Sequence, residues 1–224
     1  MISPNKIIGS LVYRTRKALN ENERFKSDLK SYLYSRSCYV NGIGFLLWYY
    51  PGTNNEISNA LLEIGKHPKG ARLKFPAVFN FQPIRQEKRE GRTTIHYNLA
   101  IVGAVNSGWM TQERESQVFE LLLRPIYEEF LKQVSDCGYF NTDYGVPPHT
   151  CYEIFTTGES AGEIIKRYGD NIDAIELHDL ALTLKPNLCS GTIQRIESEN
   201  GKAYDNVQKV LTYNYSKNDW TDKK

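Results

Sequence analysis

The apolar and polar positions of residues 76–134 describe two alternating strands joined by a charged tip, then one long amphipathic helix. Ala77, Phe79 and Phe81 alternate with Val78, Asn80 and Gln82; Ile95, Tyr97, Leu99 and Ile101 alternate with His96, Asn98 and Ala100. A period of two with one polar face is the pattern of half-buried strands. Residues 86–92, which include Gly91, are the expected connection, so 76–103 is predicted to be a hairpin. Thr111 is the predicted N-cap of the helix, with Glu113 and Glu115 in its positive first turn. Val118, Leu122, Ile126 and Phe130, joined by Phe119 and Leu123, form a wide apolar stripe reaching about Val134. Pro125 removes one backbone bond and predicts a kink against the sheet.

The flanking segments fill in an α+β fold. Ser3 and Pro4 form a helix start, and Ile7, Ile8, Leu11, Val12, Thr15 and Leu19 follow helical spacing, with Arg14, Arg16 and Lys17 largely off that face. A helix over 4–19 is predicted, with a weaker helical stretch over 23–35. Residues 39–50 are predicted as a buried strand stopped by Pro51-Gly52. Residues 51–74 look like an insertion: a short helix through Ile57, Leu61, Leu62 and Ile64, then a loop imposed by Gly65, Pro68 and Gly70. Residues 139–157 are expected to be a long loop or irregular strand. In 172–184, Ile175 and Leu177 share one parity and Leu180, Leu182 and Leu184 the other, so a bulge near His178-Asp179 is predicted. Asn200-Gly201 predicts a hairpin turn, with Val207, Leu211, Tyr213 and Tyr215 in an added arm. The expected architecture is a mixed or antiparallel sheet containing a β-hairpin, packed against the N-terminal helix and the kinked central helix. One domain is expected over 1–186, with a hairpin or arm extension over 187–224.

Composition narrows the function classes. A chain of 224 residues with 40% hydrophobic and 24% charged residues is an ordinary globular sequence. Fifteen Tyr and nine Phe supply apolar area with hydroxyl tips, which suits interfaces that are wet part of the time. The formal charge of +2, from 28 basic and 26 acidic residues, gives no global field to draw in nucleic acid or an anionic membrane. Cys38, Cys137, Cys151 and Cys189 are widely spaced without a C-x-x-C pair, so a reduced cytosolic setting is expected. No signal-type apolar run opens the chain and no stretch approaches roughly 18 apolar residues, so neither classical export nor a membrane span is expected.

Chemical signatures are sparse. Gly42-Ile43-Gly44 lacks the later glycine of a phosphate cradle and reads as a strand kink or bulge. Cys137, His149 and Cys151 come closest to a zinc set, but no fourth ligand is evident, and no metal or cofactor is expected. Asp170, Asp173 and Glu176 are expected to be solvated strand ends or turn formers rather than a catalytic group. Glu87-Lys88 has nuclease residue types but sits at the tip, where rigid support is missing. No enzymatic activity is expected. The tip, with Arg85, Lys88, Arg89 and Arg92 beside Glu87 and Glu90, reads either as a solvated hairpin end or as a finger meeting a neighbouring subunit or DNA phosphates.

The element order, together with Lys74-Phe75-Pro76-Ala77-Val78-Phe79-Asn80-Phe81 and the Leu123-Arg124-Pro125-Ile126-Tyr127-Glu128-Glu129-Phe130 segment, resembles the tail terminator or tail-completion proteins of tailed bacteriophages. The likeness covers about two thirds of the chain; the 51–74 insertion and the 187–224 extension depart from it. It implies a structural virion protein of the neck or tail, assembled in the host cytoplasm; the alternative is another phage or phage-like assembly component, such as a baseplate or sheath adaptor, with a DNA nuclease the least favoured. A neck or tail protein of this kind forms a homo-oligomeric ring, sixfold or twelvefold, around the channel that DNA traverses, contacting adjacent neck, tail or portal-side rings. A closed heterologous interface builds such a ring. The expected contacts are Arg85, Lys88, Arg89 and Arg92 at the tip and Tyr213 and Tyr215 in the arm, and removal of 187–224 is expected to weaken assembly while leaving the monomer folded.

Overall fold

The structure, a computed structural model, describes residues 2–32, 38–40, 43–106, 108–141, 145–156, 163, 167–186 and 188–212. It is an α+β fold built on a five-stranded mixed sheet. The chain runs through α1 (Pro4–Glu21), α2 (Glu23–Leu29), β1 (Tyr39–Val40), β2 (Gly44–Phe45), β3 (Trp48–Gly52), α3 (Asn54–Lys66) and α4 (Pro68–Leu73). It continues through β4 (Ala77–Arg89), β5 (Arg92–Ala104), α5 (Thr111–Arg114), a π-helical segment (Glu115–Leu123) and α6 (Arg124–Asp136). β6 (Thr150–Ile154), β7 (Ile172–Thr183) and α7 (Ser190–Thr212) complete it. The sheet order is β3-β4-β5-β7-β6; only the β3–β4 pair is parallel.

Two apolar cores sandwich the inner half of the sheet. On one face, Val78, Leu99, Ile101, Ile175 and Leu177 meet Ile8, Leu11 and Val12 of α1, Val118 and Leu122 of the π segment and Ile126 and Phe130 of α6. On the other, Phe79, Ala100, Val102 and Ile172 meet Ile57 and Leu61 of α3 and Leu73 of α4. The expected polar face of the hairpin therefore holds only for its outer half. Between Leu99 and Val102 every side chain is buried, because the insertion covers the second face.

Pro51 and Gly52 extend β3, and the rest of the insertion is two helices, correcting the expected loop. Thr53 and Glu56 form a reciprocal cap: the Thr53 amide donates to the Glu56 carboxylate at 2.7 Å and the Glu56 amide to Thr53 Oγ1 at 3.3 Å. Gly65 lies one residue from the end of α3, and Pro68 opens α4, where a missing amide costs nothing. Gly70 is needed because a Cβ there would strike the Ile64 carbonyl.

The central helix keeps its predicted apolar stripe and resolves its proline differently from a simple kink. Residues 115–123 widen into π geometry, with the Arg124 amide bonding to the Phe119 carbonyl, and Pro125 then sits in the first turn of α6. Its N-cap is Met110, whose amide donates to Glu113 at 2.8 Å, rather than Thr111. Ser3 caps α1 by position but makes no side-chain cap bond. Arg16, expected off the buried face, is buried and donates to the Lys202 carbonyl at 2.9 Å. The expected 39–50 strand is divided: β1 and β2 form a small hairpin, clamped by Asn20 at both the amide and the carbonyl of Phe45, before β3 starts.

The predicted bulge is present. Tyr97 faces Leu180 and Leu99 faces Leu177, leaving His178 and Asp179 opposite Asn98 alone. Asp179 takes φ +54 and its amide donates to Asn98 Oδ1 at 3.0 Å. The extra residue keeps Ile175, Leu177, Leu180 and Leu182 all on the core face.

The hairpin turn expected at Asn200-Gly201 is corrected to the interior of α7. Ile193, Ile196, Asn200 and Ala203 recur at spacings of three and four, and Ile196 and Ala203 are buried in the same core as α1. Gly9 of α1 permits this approach, since a Cβ there would meet Asn200 and lie 3.1 Å from Tyr49. The part of the expected extension that the structure describes is thus integral to the fold. Tyr213 and Tyr215 lie outside the described residues.

Candidate functional site

The hairpin is longer and tighter than expected. Its strands run to Arg89 and from Arg92, so 86–89 are strand rather than connection, and only Glu90 and Gly91 turn, at φ 49 and 75. Positive φ at both central residues is the twist-matched type I′ turn. Residues 88–92 extend past the last β5–β7 pair, Thr94 with Thr183, as a two-stranded ribbon. Lys88, Arg89 and Arg92 are exposed there.

Arg85 sits lower, over the outer sheet, and belongs to a network. It donates to Asp179 at 3.2 Å, and His96 Nδ1 meets the same carboxylate oxygen at 2.8 Å. Glu87 lies 3.6 Å from Arg85, 3.6 Å from Arg89 and 3.7 Å from His96. With Arg85 59% and Asp179 66% exposed, these pairs hold geometry more than they add stability. The bulge is what brings Asp179 to His96.

Toward β6 the same sheet face carries Tyr152 and Glu176, level with Ala100 of β5, and His178 at the bulge. The Tyr152 ring packs edge-on to His178 at 5.1 Å, and His178 pairs with Glu176 at 2.8 Å. β6 forms the sheet edge here, so the strand alternative for 139–157 holds over 150–154, and all five of its residues are exposed. Among the described residues no strand pairs with the outer side of β6, and none pairs with β4 beyond Phe81 on the opposite edge. The two open stretches are 150–154 on one side and 82–89 on the other.

The remaining candidate chemistry is structural in its contacts. Asp170 pairs with buried Lys74 at 2.6 Å, and Asp173 is fully buried against Arg114 while accepting from the Thr156 amide at 3.0 Å. Asp173 is thus a buried charge partner rather than a solvated turn former. The Cys137 thiol donates to the Val134 carbonyl inside the core, away from His149. His149 Nδ1 donates to the Pro147 carbonyl at 2.8 Å, so Nε2 accepts from the Tyr127 hydroxyl at 2.8 Å. Cys151 joins this chain through Tyr127, but burial pushes its thiol up, the wrong direction for a nucleophile. Burial likewise pushes the Tyr127 hydroxyl up to about 12. Gly44 (φ 94) belongs to the β1–β2 hairpin, where a Cβ would strike Asn20.

No family model matches this sequence, no curated protein matches it, and no solved structure matches its fold. Among the described residues no cluster of three or more His, Cys, Asp or Glu could hold a metal ion, and no helix is long and apolar enough to cross a membrane. The described residues present two unpaired strand edges and a charged ribbon on one scaffold.

Proposed function

We propose that this protein is a structural subunit that assembles with copies of itself into a ring, in the neck or tail of a tailed bacteriophage. The observation that carries the reading is the pair of open edges on opposite sides of one sheet. An edge presents unpaired amides and carbonyls and accepts a further strand. Strand β6 of one copy docks beside the outer half of β4 in the next. Such head-to-tail contact uses two different surfaces, and it closes into a ring when the rotation between copies divides a full turn. Lys88, Arg89 and Arg92 on the ribbon then meet the neighbouring subunit or ring. The phage placement rests on the resemblance of the Lys74–Phe81 run and the proline-containing helix; a formal charge of +2 lets DNA slide through a channel without being held.

Size-exclusion chromatography with light scattering, run beside a magnesium-dependent plasmid-cleavage assay, tests this. The expected result is a ring-sized species that leaves the plasmid intact. A monomer at every concentration, or one that cleaves the plasmid, contradicts the reading.

A further inference from the structure

On the face of the sheet covered by α1 and α6, away from the open edges, α1, α6 and α7 leave a cleft of about 470 Å³ between them. Arg14 and Lys17 enter it from α1, and Arg195 and Lys202 from α7. Two carboxylates, Glu21 and Glu199, share the walls, so four cations less two anions leave +2. The whole chain carries the same +2 (28 − 26), so this cleft concentrates in one place a surplus equal to that of the entire sequence.

The carboxylates are poorly placed to cancel it. Glu199 is held from behind: it accepts from the Tyr139 hydroxyl at 3.0 Å and from Ser10, with Arg14 at 3.7 Å. Glu21 is 69% exposed and 3.9 Å from Lys17, a weak surface contact. Among the described residues no carboxylate lies within 4.0 Å of Arg195 or Lys202. Both are nevertheless fixed in place by uncharged anchors. Arg195 donates to the Cys137 carbonyl at 3.0 Å and stacks over the Tyr139 ring at 5.0 Å, while Lys202 lies over Tyr13 at 5.5 Å. Arg14 is steadied by Gln133 at 3.1 Å. Arg195 and Lys202, positioned without a carboxylate partner, face Arg14 and Lys17, whose carboxylate contacts are long, across one concavity, an arrangement that can receive an anion.

We propose that this cleft binds a phosphate-bearing ligand through Arg14, Lys17, Arg195 and Lys202. Guanidinium forks match phosphate oxygens, and the ammonium groups add point charge at the rim. The volume lies within the roughly 300–1,000 Å³ of small-ligand sites, room for a nucleotide-sized group or a short stretch of phosphodiester. Polar and apolar surface share the lining, and the four cations supply the recognition of phosphate. This inference is independent of ring assembly: the cleft lies on the other side of the sheet from the open face.

Isothermal titration of the full-length protein with inorganic pyrophosphate, and fluorescence anisotropy with a short labelled DNA duplex, separate the two sources of phosphate. Saturable binding is expected, weakening as salt rises. The Lys17→Gln/Lys202→Gln double variant is expected to bind roughly tenfold or more weakly with an unchanged melting temperature, and Arg195→Gln to weaken binding further. Should Arg195→Gln lose stability through its Tyr139 contact, the exposed lysine pair still decides the question. Loss confined to pyrophosphate assigns a small phosphorylated ligand, and loss of duplex binding assigns a nucleic-acid backbone. No saturable binding of either probe, or variants that bind as the wild type does, overturns the proposal.

Discussion

Strand β5 crosses two environments, and the contrast between them organises the molecule. From Leu99 to Val102 it is buried on both faces, between α1, the π segment and α6 below and α3 above. From Arg92 to Asn98 it is buried on the helical face alone, at Ile95 and Tyr97, while Arg92 and Asn98 are exposed. The inner half holds the apolar core on both faces, while the outer half pairs with the part of β4 whose other edge is open; β6, the second open edge, lies level with the inner half, two strands away across β7. The two environments arise because the insertion covers only part of the strand's length.

Perturbations should separate these halves. The largest effect is expected from deleting 187–224, which strips α7 from α1 and uncovers the core around Ile196 and Ala203. Loss of a cooperative thermal transition is expected, contrary to the sequence-based view that this segment is an assembly arm whose removal leaves the monomer folded. Next comes Asp173→Ala, which leaves Arg114 buried without its counter-charge and should cost about 3–5 kcal/mol by urea denaturation. Leu99→Ala in the inner half should cost about 2–5 kcal/mol, whereas Thr93→Ala in the outer half should stay within about 0.5 kcal/mol. Equal costs at these two positions would dissolve the contrast.

A smaller, pH-dependent effect belongs to the buried tyrosines. Burial raises the hydroxyls of Tyr49, Tyr50 and Tyr97 above the ordinary phenol range. Above pH about 10 the unfolded chain releases phenolic protons that the folded chain keeps, so stability is full below that pH and falls as pH rises. Tyr97→Phe should flatten this decline in urea midpoints between roughly pH 9 and pH 11. An unchanged slope would show that Tyr97 does not contribute to it.

How much of this was legible in the sequence depended on whether the signal was local. The bulge was legible because the parity of apolar residues switches once between Leu177 and Leu180, and only an extra residue reconciles the two sets. The fate of α7 was not, because Asn200-Gly201 is a strong turn pair and outweighed the weaker helical stripe of Ile193, Ile196 and Ala203. The same happened in the insertion, where three breaker residues fall at helix ends or at a close contact, positions that tolerate them. Of the tip residues, Lys88, Arg89 and Arg92 stand exposed on the ribbon, as their local sequence indicated. The attachment of Arg85 to Asp179, 94 residues away, has no local signature. Neither does the cleft, whose cations on α1 and α7 are brought together only by the packing of those helices.

Hydrogen–deuterium exchange, comparing assembled with dissociated protein, tests the division of labour most directly. Assembly is expected to slow amide exchange in β6, at 150–154, and in the outer part of β4, at 85–89, while leaving the Leu99–Val102 stretch as slow as before. Exchange at both edges that is the same in the two states, or protection appearing first in the already buried half, would contradict the account.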